Sequence, residues 1–98
     1  MRARMDRLNA QLAALLQRRA RLALAIGRSK AARRLRAADP QREREMLAAL
    51  LRDPAPGFER AELARILRAV FAASRRLVVR DRRALRPRSR PKPPTSAT

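Results

Sequence analysis

Five polar residues sit where a helical reading of the chain expects apolar neighbours: Arg19, Lys30, Arg42, Glu43 and Ser74. Arg19 fills the missing place in the series Met1, Met5, Leu8, Leu12, Leu15, Leu22, Ile26, which advances by steps of four and three. Lys30 lies one turn beyond Ile26 on the same side. Arg42 is one turn before Met46, and Glu43 one turn before Met46 and Leu47, so both point partly toward the core side. Ser74 stands in the middle of a stripe of Leu63, Ile66, Leu67, Val70, Phe71, Leu77 and Val78. A cation on an apolar seam is costly unless it is paired, reaches water or meets an anionic ligand. A seam serine most often bonds back to a carbonyl one turn earlier, and it can also donate to a ligand. The set is mostly cationic, with one carboxylate and one hydroxyl. It suits a small dianion that also carries a hydroxyl. It offers no obvious nucleophile, so a reaction that needs only positioning and charge stabilisation fits best.

The rest of the composition narrows the chemistry further. The chain has no cysteine and no histidine, which removes disulfides, thiolate sites, the usual zinc ligands and the usual neutral-pH base. No Ser-His-Asp set and no phosphate-cradling glycine loop is present.

Three helices must position these residues. Residues 1 to about 34 read as one helix with no proline and only Gly27 as a weak point. At about 1.5 Å per residue it is about 50 Å long, too long for a compact monomer of this size, which suggests pairing with a second copy. Arg2 shares the Arg19 face but lies roughly 25 Å away along the axis. Only an antiparallel partner helix would bring an Arg2 near Arg19. Residues 35 to 38 connect to a second helix, with Asp39 as N-cap and Pro40 as first residue, running to about Leu51. Asp53-Pro54-Ala55-Pro56-Gly57 ends it, and a third helix runs from near Glu59 to about Arg82. Off-seam arginines such as Arg4, Arg7, Arg18, Arg21 and Arg28 read as solvated.

Ninety-eight residues allow one domain at most, with a marginal core of its own. The expected division is a helical domain over 1–84 and a basic, Pro-rich disordered tail over 85–98. The net charge of +18 points first to a polyanionic partner. However, only Lys30 and Lys92 are lysine among 26 basic residues, and Ala and Leu abound, as GC-rich codon usage would give. The only aromatics are Phe58 and Phe71, so base stacking is unsupported. With no secretory signal and no bilayer-length apolar run, a soluble cytoplasmic protein is expected.

Three segments in register resemble the all-helical chorismate mutases, over roughly residues 2 to 82. They are Leu15-Leu16-Gln17-Arg18-Arg19-Ala20-Arg21-Leu22-Ala23 leading to Ile26-Gly27-Arg28-Ser29-Lys30; Asp39-Pro40-Gln41-Arg42-Glu43-Arg44-Glu45-Met46-Leu47; and Val70-Phe71-Ala72-Ala73-Ser74-Arg75. The middle segment is the most specific. The resemblance implies an all-α fold of three helices per chain in an intertwined homodimer, with shared sites and no cofactor. It implies conversion of chorismate to prephenate in the shikimate pathway. By position, Arg19 and Arg2 of the other chain would hold substrate carboxylates. Lys30 would contact the ether oxygen and a carboxylate. Arg42 would support the anionic end, Glu43 with the backbone near Asp39 would bind the ring hydroxyl, and Ser74 would donate to a carboxylate. One position departs from the family: Val78 stands where Gln or Glu usually gives a second donor to the ether oxygen. That implies a slow enzyme, one completed by an activating partner protein, or one acting on a related substrate such as an amino analogue of chorismate.

Two other classes compete with this reading. A basic helical nucleic-acid-binding module would explain the charge and the tail, but not Glu43 and Ser74 on the seams. Nonspecific nucleic-acid contact through the tail is the most that is expected. A structural helical dimer without a ligand would tolerate loss of Arg19 or Lys30.

Overall fold

All three expected helices form in the computed structural model, which describes residues 1–86. They are α1 (Arg2–Ala32), α2 (Pro40–Leu50) and α3 (Arg60–Leu85), and no strand occurs among the described residues. The tail expected beyond them lies, from Pro87 on, outside the described residues.

Local chemistry explains the boundaries. α1 stops through a left-handed turn: Leu35 N–H donates to the Lys30 carbonyl at 2.7 Å and Arg34 N–H to the Ala31 carbonyl at 2.9 Å. Arg34 adopts φ 60° there, a place where glycine is usual. α2 starts as expected, with the Asp39 carboxylate accepting from Arg42 N–H at 3.1 Å and Pro40 in the first turn. Gly57, at φ 128°, supplies the turn before α3 that other residues rarely adopt. α3 runs three residues past the expected end near Arg82, because nothing breaks it before Pro87. Arg86 then turns extended (φ −64°, ψ 134°), as a residue preceding proline favours.

α3 is the hub: α1 and α2 both pack on it and not on each other. Contacts pair Arg19 with Ser74, Gly27 with Val78 and Arg28 with Asp81, so α1 and α3 run in the same direction. The buried apolar core is Ala64, Phe71 and Val78, all on α3. The tightest approach is at Gly27, which is buried. A Cβ built there would lie 2.7 Å from Val78 Cγ1. The residue that reads as a weak point in the helix is therefore where α3 gets close enough to pack.

Polar clasps hold the same end of the bundle. Arg28 is exposed, as expected, and its guanidinium also grips Asp81 through two hydrogen bonds, at 3.0 and 2.9 Å. Arg82 donates to the Gly27 carbonyl at 3.1 Å and the Leu35 carbonyl at 3.0 Å, tying α3 to α1 and the following turn. Its Nε is buried without a partner. None of the described helices is long and apolar enough to cross a membrane.

Two predictions follow from this packing. Gly27→Ala gains about 1 kcal/mol of helix propensity. It should nevertheless destabilise the fold by about 1–3 kcal/mol through overpacking, as read by urea denaturation. Adding Val78→Ala should recover part of that loss, and a Gly27→Ala variant more stable than wild type would refute the close-approach argument. The second prediction concerns pH. The hydrogen bond from Arg28 holds the Asp81 carboxyl below its usual range, with the nearby positive charge adding to this and partial burial opposing it. A carboxyl depressed by folding contributes stability above its unfolded pKa of about 3.9, and that contribution is lost as pH falls through the folded value. The wild-type minus Asp81→Asn difference in urea midpoint should thus be constant near neutrality and shrink below about pH 4.

Candidate active site

Because α1 and α2 touch α3 but not each other, a cleft remains between them, with α3 as its floor. Its volume is about 340 Å³. Arg19 and Lys30 enter it from α1, Asp39, Arg42 and Glu43 from the start of α2, and Ser74 and Val78 from α3. Seven of the eight residues singled out in the sequence thus border one cavity. Arg2 is the exception: it lies exposed at the far end of α1.

Arg19 is half-buried and held in place from two sides. One Nη donates to Ser74 Oγ at 2.6 Å, and the guanidinium carbon sits 5.1 Å from the centre of the Phe71 ring. Both contacts fix its direction without neutralising it. A guanidinium has five N–H donors, so most of them stay available. Lys30 is half-buried in the last turn of α1. Among the described residues, no carboxylate lies within ion-pairing distance of Arg19 or Lys30. Two partly shielded cations without an acidic partner favour an anion between them.

The α2 side differs in part from the sequence expectation. Arg42 borders the cleft, on the side expected, and is exposed, so it stands at the rim. The Asp39 side chain is engaged as the helix cap. Glu43 is half-buried and ion-paired through Oε1 with Arg75 of α3. On the outer face, Gln41 links Arg44, at 2.9 Å, to Glu45, at 3.2 Å.

Arg75 also lines the cleft and was not among the site residues read from the sequence. The one available signal was its place directly after Ser74 and three residues before Val78, on the edge of the same helical face. Val78 is buried against Gly27, so it forms an apolar wall where no hydrogen-bond donor is present.

Taken together, the cleft presents four cations, Arg19, Lys30, Arg42 and Arg75, two carboxylates, Asp39 and Glu43, and the Ser74 hydroxyl; Arg19 and Lys30 have no acidic partner among the described residues. It can hold a small dianion and favour negative charge that develops near Lys30. No curated protein matches the chain. The family profile described as chorismate mutase type II matches residues 1–79, a span that takes in every residue of the cleft. The chain therefore belongs to the type II chorismate mutases, all-helical isomerases that convert chorismate to prephenate.

Proposed function

We propose that the cleft binds chorismate as a dianion and isomerises it by holding one conformer and stabilising charge. The observation that carries this is the convergence of Arg19, Lys30, Glu43 and Ser74 on one cavity from three different helices. Arg19, steadied by Ser74 and Phe71, takes a substrate carboxylate. Ser74 can donate to a carboxylate while accepting from Arg19. Glu43 accepts the ring hydroxyl, beside the backbone at Asp39. Arg42 screens the anionic end from the rim. The rearrangement is pericyclic: the enolpyruvyl arm folds over the ring, the ether C–O bond breaks and a C–C bond forms, with no acid, base or nucleophile. Negative charge grows on the ether oxygen as that bond breaks. Lys30 stabilises that charge more in the transition state than in the ground state, which is what raises turnover.

Val78 faces the same region and cannot donate. The second donor is therefore missing from this chain, and turnover is lower than a complete site would give. An activating partner protein that tightens the cleft, or a substrate with an amino group in place of the ring hydroxyl, are the alternatives. In a spectrophotometric chorismate assay, Lys30→Ala should lose roughly two to three orders of magnitude in kcat, and Val78→Gln should gain up to a similar factor. A folded wild type with no turnover, together with an inactive Val78→Gln, would sink the reading. The nucleic-acid alternative would be favoured instead by salt-sensitive nucleic-acid binding with chorismate untouched.

The site is completed by a second copy of the chain. Along α1, Leu8, Leu12, Leu15 and Leu22 stay 56–60% exposed, so the seam read from the sequence is not covered by the chain's own helices. A second, mainly apolar groove of about 630 Å³ runs between α1 and α3, bordered by Leu16, Ile66, Val70 and Leu77. An antiparallel α1 from the second copy would cover these surfaces and carry its Arg2 to the partner's cleft. Arg2→Ala and Lys30→Ala proteins should each be nearly inactive. Unfolded and refolded together, they should regain about a quarter of wild-type activity, because half of the random dimers are mixed and each has one intact site. An active monomer, or no recovery on mixing, would refute the shared site.

A further inference from the structure

We infer that Arg75 is a specificity-determining residue. Its guanidinium, bonded to Glu43, makes the cleft select a neutral hydroxyl over an ammonium at that end of the substrate. It rests on the chorismate reading and adds a residue that had no role in the sequence-based expectation. Arg75 reaches from α3 to Glu43 on α2, and both line the cleft. Their side chains are 42% and 25% exposed, so solvent screens the pair only in part. A carboxylate can accept about four hydrogen bonds. With Oε1 held by Arg75, Oε2 can still accept a ring hydroxyl without disturbing the pair. An ammonium at the same place needs more. It needs a carboxylate whose charge is not already matched, and Glu43 is matched by Arg75. The Asp39 carboxylate is held at the start of α2, where it accepts from the Arg42 backbone N–H, and the four cations of the cleft, Arg19, Lys30, Arg42 and Arg75, outnumber its two carboxylates. An amino substrate therefore meets like-charge repulsion close to its reacting ring, whereas a hydroxyl substrate does not. Removing Arg75 frees Glu43 to pair with the ammonium.

The test compares kcat/KM for chorismate and for the analogue with an amino group in place of the ring hydroxyl. The proteins are the full-length wild type, Arg75→Ala, Arg75→Gln and Arg75→Lys, each checked for helix content by circular dichroism. Wild type should favour chorismate by about tenfold or more, and the Ala and Gln variants should shift that ratio by about tenfold toward the amino substrate. Arg75→Lys should keep the wild-type ratio. If Arg75→Ala fails to fold, the Gln and Lys variants decide. Equal loss for both substrates, an unchanged ratio or a wild-type preference for the amino analogue overturns the inference while leaving the cleft a mutase site. A folded wild type that turns over neither substrate removes the chorismate reading and this inference with it.

Discussion

The contact between Gly27 and Val78 sets the geometry of everything around it. Among the described residues only Ala64, Phe71 and Val78 are buried apolar side chains, so the close contact at Gly27 weighs heavily in the distance between α1 and α3. The missing Cβ at Gly27 lets the helices close until Val78 fills the space. That same distance lets Arg19 reach Ser74, Arg28 reach Asp81 and Arg82 reach the Gly27 carbonyl. The position that closes the helix crossing is also the one where a donor to the breaking bond would be useful. A branched apolar side chain suits the packing, and in the proposed mechanism it leaves the chemistry short of one hydrogen bond. The missing donor of the proposed mechanism and the tightness of the bundle thus share one cause.

Charge is distributed by the same logic. The chain is strongly basic, and three of its eight acids are ion-paired with arginines. Asp81 serves Arg28 at the bottom of the bundle, Glu62 lies 3.7 Å from Arg65 on an exposed face, and Glu43 serves Arg75 at the cleft. Arg19 and Lys30 are left without a carboxylate inside a partly shielded space. Their unmatched charge is a modest burden on an empty bundle and an asset once a dianion enters. It is the pattern of matching, more than the total of +18, that carries functional meaning.

Much of this was legible in the sequence because it is encoded locally. The Asp39-Pro40 start, the breaker run 53–57 and the apolar stripes are signals read over a few residues, and the helices follow them. Arg19, Lys30 and Ser74 stood out because each interrupts a stripe. What escaped was of another kind. The pairs Arg75 with Glu43, Arg28 with Asp81 and Arg82 with the turn at Leu35 join residues 32 to 53 positions apart. Nothing in the neighbourhood of either member announces the other. Arg28 in particular read as solvated because it is off the seam of its own helix, and only the direction of α3 brings Asp81 beneath it. For Arg42, helical spacing gave its side of α2, which borders the cleft, but not its exposure at the rim.

A chain this poor in catalytic residue types can still support demanding chemistry if the reaction asks only for shape and charge. Without histidine or cysteine it lacks the usual means of moving a proton near neutrality or forming a thioester. A rearrangement that stays within one molecule requires neither. It requires that a folded conformer be held and that charge be met where it develops. Three helices, two cations without an acidic partner among the described residues and an anchored Glu43 can supply that. The limit lies in how much of the substrate one chain can surround. The chain's own cleft is lined by the second half of α1 together with α2 and α3, whereas the first half of α1 extends beyond it with its leucines half exposed. A long helix that serves its own cleft with only one half makes physical sense if the other half serves a second cleft. In the proposed dimer, the length of α1 and the sharing of two clefts are then two sides of one arrangement.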